Sequence, residues 1–144
     1  MKCQQNQDQI VQLFDGMNDW EDRYKKLIEM GKELNSLPEE LKTSEKLVKG
    51  CQSQVWLHAF LDAKGNMILQ ADSDALIVKG LVALLVRVYS GCDPEDILNT
   101  PPEFLKKLGL EAGLTPSRAN GLHAMLQQIK NFAIAFRYLK NQEK

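Results

Sequence analysis

Ile10, Leu13, Phe14 and Met17 recur at helical spacing, which predicts an amphipathic helix over residues 7–17. Asp19 can cap a second helix with an apolar stripe of Trp20, Tyr24, Leu27, Ile28 and Leu34, leaving Glu21, Lys25, Lys26 and Glu29 to solvent until Leu37-Pro38 ends it. The period is lost from Pro38 to Ser53. Residues 54–61, Gln-Val-Trp-Leu-His-Ala-Phe-Leu, then read as a strand with apolar side chains on both alternating faces, so a central, well-covered strand is expected. Turn chemistry at Asp62-Ala63-Lys64-Gly65-Asn66 sends residues 67–71 back as an antiparallel partner.

Asp72-Ser73-Asp74 offers capping groups to a helix over residues 75–89, apolar nearly all round and interrupted by Lys79 and Arg87, with Gly91 as its stop. Asp93-Pro94-Glu95-Asp96 starts a short helix ending near Asn99, and Thr100-Pro101-Pro102-Glu103 repeats the device with capping-box spacing for another ending near Leu108. Thr115-Pro116 opens a long last helix with Leu122, Met125, Leu126, Ile129, Phe132, Ala133, Phe136 and Leu139 on one face. The reading is an α+β fold, a small antiparallel sheet packed with several helices in one compact domain over residues 1–144.

With 44% hydrophobic and 26% charged residues, the chain has the apolar content to build a core without metal or disulfides. A formal net charge of -1 gives no positive field to gather nucleic acid or an anionic membrane, so proteins or small molecules are the expected partners. The opening Met1-Lys2-Cys3-Gln4-Gln5-Asn6-Gln7-Asp8 is polar and lacks a signal or transit pattern; cytoplasm is the expected location. The apolar run at 75–89 is too short to span a bilayer.

Candidate chemistry narrows to the cysteines. Cys3, Cys51, Cys92, His58 and His123 show no metal-ligand spacing, and the isolated glycines build no phosphate loop. Asp72, Asp74, Glu95 and Asp96 all fall at expected helix starts, where capping explains them. The odd number of cysteines has no pairing pattern and suits a reducing compartment. Cys3 is expected in a fraying polar tail and Cys92 in a turn where a small residue packs. Cys51 follows Gly50 in an irregular segment before the apolar strand, with Lys46 and Lys49 upstream as cations that favour a thiolate. Its alternative is a small buried hydrophobe.

Around Cys51, residues 48–57 (Val-Lys-Gly-Cys-Gln-Ser-Gln-Val-Trp-Leu) resemble the acceptor-cysteine signature of the SufE family. Residues 71–81 (Ala-Asp-Ser-Asp-Ala-Leu-Ile-Val-Lys-Gly-Leu) and 116–122 (Pro-Ser-Arg-Ala-Asn-Gly-Leu) are similar to its second and third motifs, in the family's order. The resemblance implies a sulfur carrier, not an independent enzyme. It implies that Cys51 receives persulfide sulfur from a pyridoxal-phosphate-dependent cysteine desulfurase, and that the chain stimulates this partner and delivers the sulfur to an iron–sulfur scaffold. No cofactor is implied on this chain, since the pyridoxal phosphate is the partner's. Close relatives serving a different desulfurase share the motifs, and self-association as a homodimer stays open.

Transfer requires the Cys51 thiolate to attack the outer sulfur of the donor persulfide, and Lys46, Lys49 or Arg118 would raise the ionised fraction. Cys51 shares parity with Ser53, Val55 and Leu57, so an early extended conformation would point the thiol to Val55's side and shelter it until the loop swings out. Arg118 and Asn120, in the first turn of the last helix, are expected to line the same cavity, and Asp74 to face the desulfurase. Two rivals remain: an adaptor that does not use the thiol, and a cysteine-nucleophile hydrolase. His58 lies too far along its strand to serve the hydrolase, leaving His123 as its base; otherwise His58 is read as an ordinary strand histidine.

Overall fold

The computed structural model describes residues 2–35 and 37–142. In chain order they form α1 (Lys2–Leu13), α2 (Trp20–Glu33), single 3-10 turns at Glu39–Leu41 and Ser44–Lys46, β1 (Val55–Leu61), β2 (Met67–Ser73), α3 (Leu76–Tyr89), α4 (Pro94–Asn99), α5 (Phe104–Lys107), α6 (Leu110–Gly113) and α7 (Pro116–Gln142). Helices enclose a two-stranded antiparallel sheet, the expected α+β class.

The centre is α3. Its Leu81, Leu84, Leu85 and Val88 are almost wholly buried, as the all-round apolar pattern requires. α2 approaches it through small residues: a Cβ on Gly80 would sit 2.2 Å from the carbonyl oxygen of Leu27, so only glycine permits this spacing. The two charges that interrupt α3 lie at its surface with partners, Lys79 on Asp72 at 3.2 Å and Arg87 on Glu33 at 2.9 Å. Asp19 caps α2 by accepting the Asp22 N–H at 2.9 Å, as its position predicts.

The hairpin runs in register from Val55↔Ser73 to Leu61↔Met67. Its turn is tied by Asp62 Oδ1, which accepts the N–H groups of Lys64 and Asn66, both at 2.9 Å. The expectation of a central strand is corrected: among the described residues β1 pairs in a ladder only with β2, and its other edge meets an isolated Leu47↔Trp56 bridge. The second apolar face belongs to side chains that cover one another. His58 and Phe60 are 5.8 Å apart between ring centroids, and Lys42 lies over Trp56 at 5.5 Å.

Three further expectations change. The first helix covers Lys2–Leu13, not 7–17, because polar residues bury by bonding to backbone: Gln7 donates to the Pro101 carbonyl at 3.0 Å and accepts from Phe104 N–H at 3.3 Å. Cys3 is therefore buried rather than in a fraying tail. β2 continues through Ser73, so Asp72 and Asp74 do not cap α3, whose N-cap is Ala75 with no side-chain cap bond. Thr100 bonds back to the Asp96 carbonyl at 2.7 Å, and α5 begins only at Phe104, with no side-chain bond from its N-cap Glu103, so the capping box does not form. By contrast, Asp93 caps α4 with Pro94 at its first position.

Candidate functional site

Cys51 owes its placement to a turn. Gly50 has φ +93, a left-handed conformation that a side chain would strain, and a Cβ there would also meet the Ala124 Cβ at 3.3 Å. The chain bends again at Gln52 and Ser53 before β1 begins. Strand alternation therefore does not set the direction of the thiol, contrary to the parity argument. The half-buried Cys51 side chain reaches α7 instead, where Sγ lies 3.6 Å from the Gly121 carbonyl oxygen as donor. A Cβ at Gly121 would stand 3.5 Å from Sγ, in ordinary van der Waals contact with the thiol.

Hydrogen bonds hold the far end of this loop. Gln54 N–H donates to Asp74 Oδ1 at 3.0 Å, Ser73 Oγ donates to the Gln54 carbonyl at 2.8 Å, and Asp74 N–H reaches the same carbonyl at 3.2 Å. Beneath it, Asp72 opposes Trp56 in the ladder and is 4% exposed. Burial pushes its carboxyl up, but the Ser73 N–H and the ammonium groups of Lys79 and Lys42 prevail and hold it below the ordinary range. Lys42 and Lys79 approach it at 3.4 and 3.2 Å, joining the segment before Cys51 to α3 through β2.

The thiol opens on a cavity of about 370 Å³. Cys51, Gln52 and Ser53 form one wall. Ala75, Leu76, Ile77, Val78 and Leu81 form a second, Ser117, Arg118, Gly121 and Met125 a third, and Ile28 contributes from α2. All but Ile28 and Met125 come from the segments 48–57, 71–81 and 116–122, which are distant in sequence and meet here. Comparison with known proteins agrees with that convergence: residues 8–133 match the family described as SufE, Fe-S metabolism associated domain. The chain belongs to the SufE family.

It is 43% identical over 126 residues to SufE-like protein 1, chloroplastic/mitochondrial, of Arabidopsis thaliana, covering 88% of this chain but spanning only 34% of that protein's length. An uncharacterized SufE-like protein of Rhizobium meliloti is 43% identical over 130 residues, covering 88% of this chain and 93% of that protein. One from Synechocystis is 42% identical over 127 residues, 88% of this chain and 79% of its own length. The solution structure of a hypothetical protein from Thermus thermophilus superposes with a TM-score of 0.75 at 27% identity, covering 92% of this chain and 96% of that one. SufE membership places the chain among sulfur-transfer accessory proteins of iron–sulfur metabolism. Among the described residues, no helix is long and apolar enough to cross a membrane.

Not every residue singled out in the SufE motifs reaches the cavity. Arg118 lines it; Asn120, next but one on α7, is exposed and absent from the lining, because the helix turns it outward. Asp74 is exposed at the loop's anchor, bonded to Gln54 rather than to the thiol. The expectation that Lys46, Lys49 or Arg118 ionises Cys51 is not met: burial pushes the thiol up, with no opposing cation. Lys46 and Lys49 line a neighbouring groove with Leu57 and Ala124. Burial, joined by the charge of Lys46, lowers His58 below its ordinary value, and His58 Nδ1 is buried with no hydrogen-bond partner.

Neither histidine lines the Cys51 cavity; His123 lines a separate groove with Pro101, Pro102 and Lys130. Residues that the motifs missed are Ile28 and Met125, ordinary members of helical faces until packing brings them to the thiol. Among the described residues, no group of three or more His, Cys, Asp and Glu side chains is placed to hold a metal ion.

Proposed function

We propose that Cys51 is the acceptor of persulfide sulfur from a pyridoxal-phosphate-dependent cysteine desulfurase, and that the chain stimulates this partner and delivers the sulfur to an iron–sulfur assembly scaffold. The observation that supports this best is the meeting of three sequence motifs around one thiol at the mouth of a cavity. The Cys51 thiolate attacks the outer sulfur of the donor's persulfide. A new S–S bond forms, the donor's S–S bond breaks, and its electron pair leaves on the donor's own cysteine, which regains a proton. Cys51 is left carrying one additional sulfur. No cofactor on this chain enters that step.

Sheltered against Gly121, the thiol is protonated at neutral pH and a weak nucleophile. Attack therefore follows movement of the loop, with the Gly50 turn and the Asp74–Gln54 contact as its two ends. Arg118 supplies positive charge at the cavity for the sulfur anion, and Asp74 sets how readily the loop leaves. A cavity around the loaded sulfur limits its loss to small thiols and oxidants between encounters.

The test is to incubate the chain with free cysteine and a desulfurase of the same organism, then measure intact mass and sulfide. Added sulfur on the chain and faster turnover of the desulfurase are expected. Sulfide release by the chain with pyridoxal phosphate but no desulfurase contradicts the carrier function, as does unchanged mass after the complete incubation.

A further inference from the structure

Two of the three thiols take no part in that transfer, and they lie together. Cys3 and Cys92 are fully buried, and each thiol is the largest influence on the other's acidity. Neighbouring contacts fix the juxtaposition independently. Lys2 Nζ stands 3.0 Å from where a Cβ would sit on Gly91. The Cys3 N–H donates to Asp96 Oδ2 at 3.0 Å. Asn6, one turn along α1, donates to the Val88 carbonyl at 2.9 Å and to Cys92 Sγ at 3.5 Å. The first turn of α1 is thus held against residues 88–96 on both sides of the sulfur pair.

We propose that Cys3 and Cys92 form a reversible intramolecular disulfide, made by exchange with a low-molecular-weight disulfide, that fastens α1 to the end of α3 and the start of β2. The link reaches β2 because Gly91 N–H donates to the Met67 carbonyl at 2.7 Å and Met67 N–H to the Cys92 carbonyl at 2.8 Å.

The two sulfurs have different roles in the exchange. The S–H of Cys92 donates to the Val88 carbonyl at 3.4 Å. The neighbouring Cys92 group holds the Cys3 thiol below its ordinary value, whereas Cys3 and burial push Cys92 up. Cys3 lies in the first turn of α1, and it is the first nucleophile once that turn opens. Its thiolate attacks one sulfur of the small disulfide, forming a mixed disulfide as one small thiolate leaves. Cys92 then loses its proton and attacks the Cys3 sulfur, expelling the second small thiolate. The two cysteines give up two electrons, the small disulfide takes them, and two small thiols carry away the protons. Entry for the reagent comes from local unwinding of the first turn of α1, which needs less free energy than global unfolding.

A bond from residue 3 to residue 92 closes a long loop, so it restricts the unfolded chain strongly and raises Tm by an amount on the order of 10 °C. The experiment uses the Cys51→Ser variant, which leaves only this pair, equilibrated in glutathione disulfide and glutathione over a range of ratios. Thiols are alkylated after denaturation, peptides are mapped by mass, and melting is followed with and without dithiothreitol. Loss of both thiols together, a linked Cys3–Cys92 peptide and a Tm rise that dithiothreitol reverses are expected. Two thiols that persist at every ratio, a glutathione adduct on a single cysteine, a disulfide between molecules, or a linked form with unchanged or lower Tm overturns the proposal. So does a comparable Tm rise in the Cys51→Ser, Cys92→Ala double variant.

Discussion

Replacing Gly80 by alanine tests whether the spacing of α2 and α3 builds the Cys51 cavity. In an unconstrained helix the change stabilises by about 1 kcal/mol, the difference in helix propensity. Here the new Cβ falls 2.2 Å from the Leu27 carbonyl oxygen and 2.6 Å from its carbon, so backbone must move rather than a flexible side chain. Regaining van der Waals distance requires the helices to part by about 1 Å, and overpacking on that scale costs about 3 kcal/mol. The clash outweighs propensity by about 2 kcal/mol, equivalent to a Tm loss of about 7 °C for a chain of this size. Ile28 on α2 and Leu76, Ile77, Val78 and Leu81 on α3 line the cavity, so the displacement also exposes the thiol. Calorimetry and the rate of Cys51 alkylation measure both effects. A Tm unchanged or raised by about 3 °C, the propensity gain alone, refutes the reasoning.

Asp72→Asn is expected to lower Tm by about 5 °C at pH 7, since Lys42 and Lys79 lose their shared carboxylate. The folded-state pKa of Asp72 is depressed, so its contribution is present above the unfolded carboxylate value of about 4 and is lost as pH falls through the folded value. Melting curves of wild type and variant must therefore converge on acidification; a gap constant with pH contradicts the ion cluster. In the free chain, burial of Cys51 displaces the pH midpoint of its alkylation above that of a cysteine in a short peptide, and a lower midpoint refutes the sheltered thiol. Asp74→Ala removes the acceptor of the Gln54 N–H and should accelerate that alkylation several-fold at fixed pH, with equal rates excluding the anchor. His58→Phe removes a buried nitrogen that has no hydrogen-bond partner, so Tm should hold or rise by about 3 °C with sulfur loading intact; loss of loading would make His58 part of the chemistry.

The sequence was most legible where one residue type has one physical use. Asp19 and Asp93 cap their helices, the turn after Leu61 closes the hairpin, and the unbroken apolar run of α3 becomes the buried centre. It was least legible where polar residues bury themselves by bonding to distant backbone. Gln7 and Asn6 look like solvent positions, yet their amides meet the carbonyls of Pro101 and Val88, so the start of α1 and the burial of Cys3 lay outside any local pattern. Asp72 read as a cap because aspartate before an apolar run usually is one; its actual partners come from two other segments. At the site, the motifs marked Cys51 and Arg118 as neighbours, and the helical turn that puts Arg118 inside leaves Asn120 outside. Charge near in sequence was a poor guide to charge near in space: Lys46 and Lys49 border the next groove, and burial alone moves the Cys51 pKa.

Locating the transferred sulfur most directly tests the central claim. The chain is loaded by a desulfurase and free cysteine, alkylated without reductant and digested, and the mass of each cysteine peptide is read in wild type and in Cys51→Ser, with partner binding measured beside it. Added sulfur on the Cys51 peptide alone, and none anywhere in a Cys51→Ser variant that still binds the desulfurase, is the expected result. Sulfur on the Cys3 or Cys92 peptide, or undiminished loading of Cys51→Ser, contradicts the account.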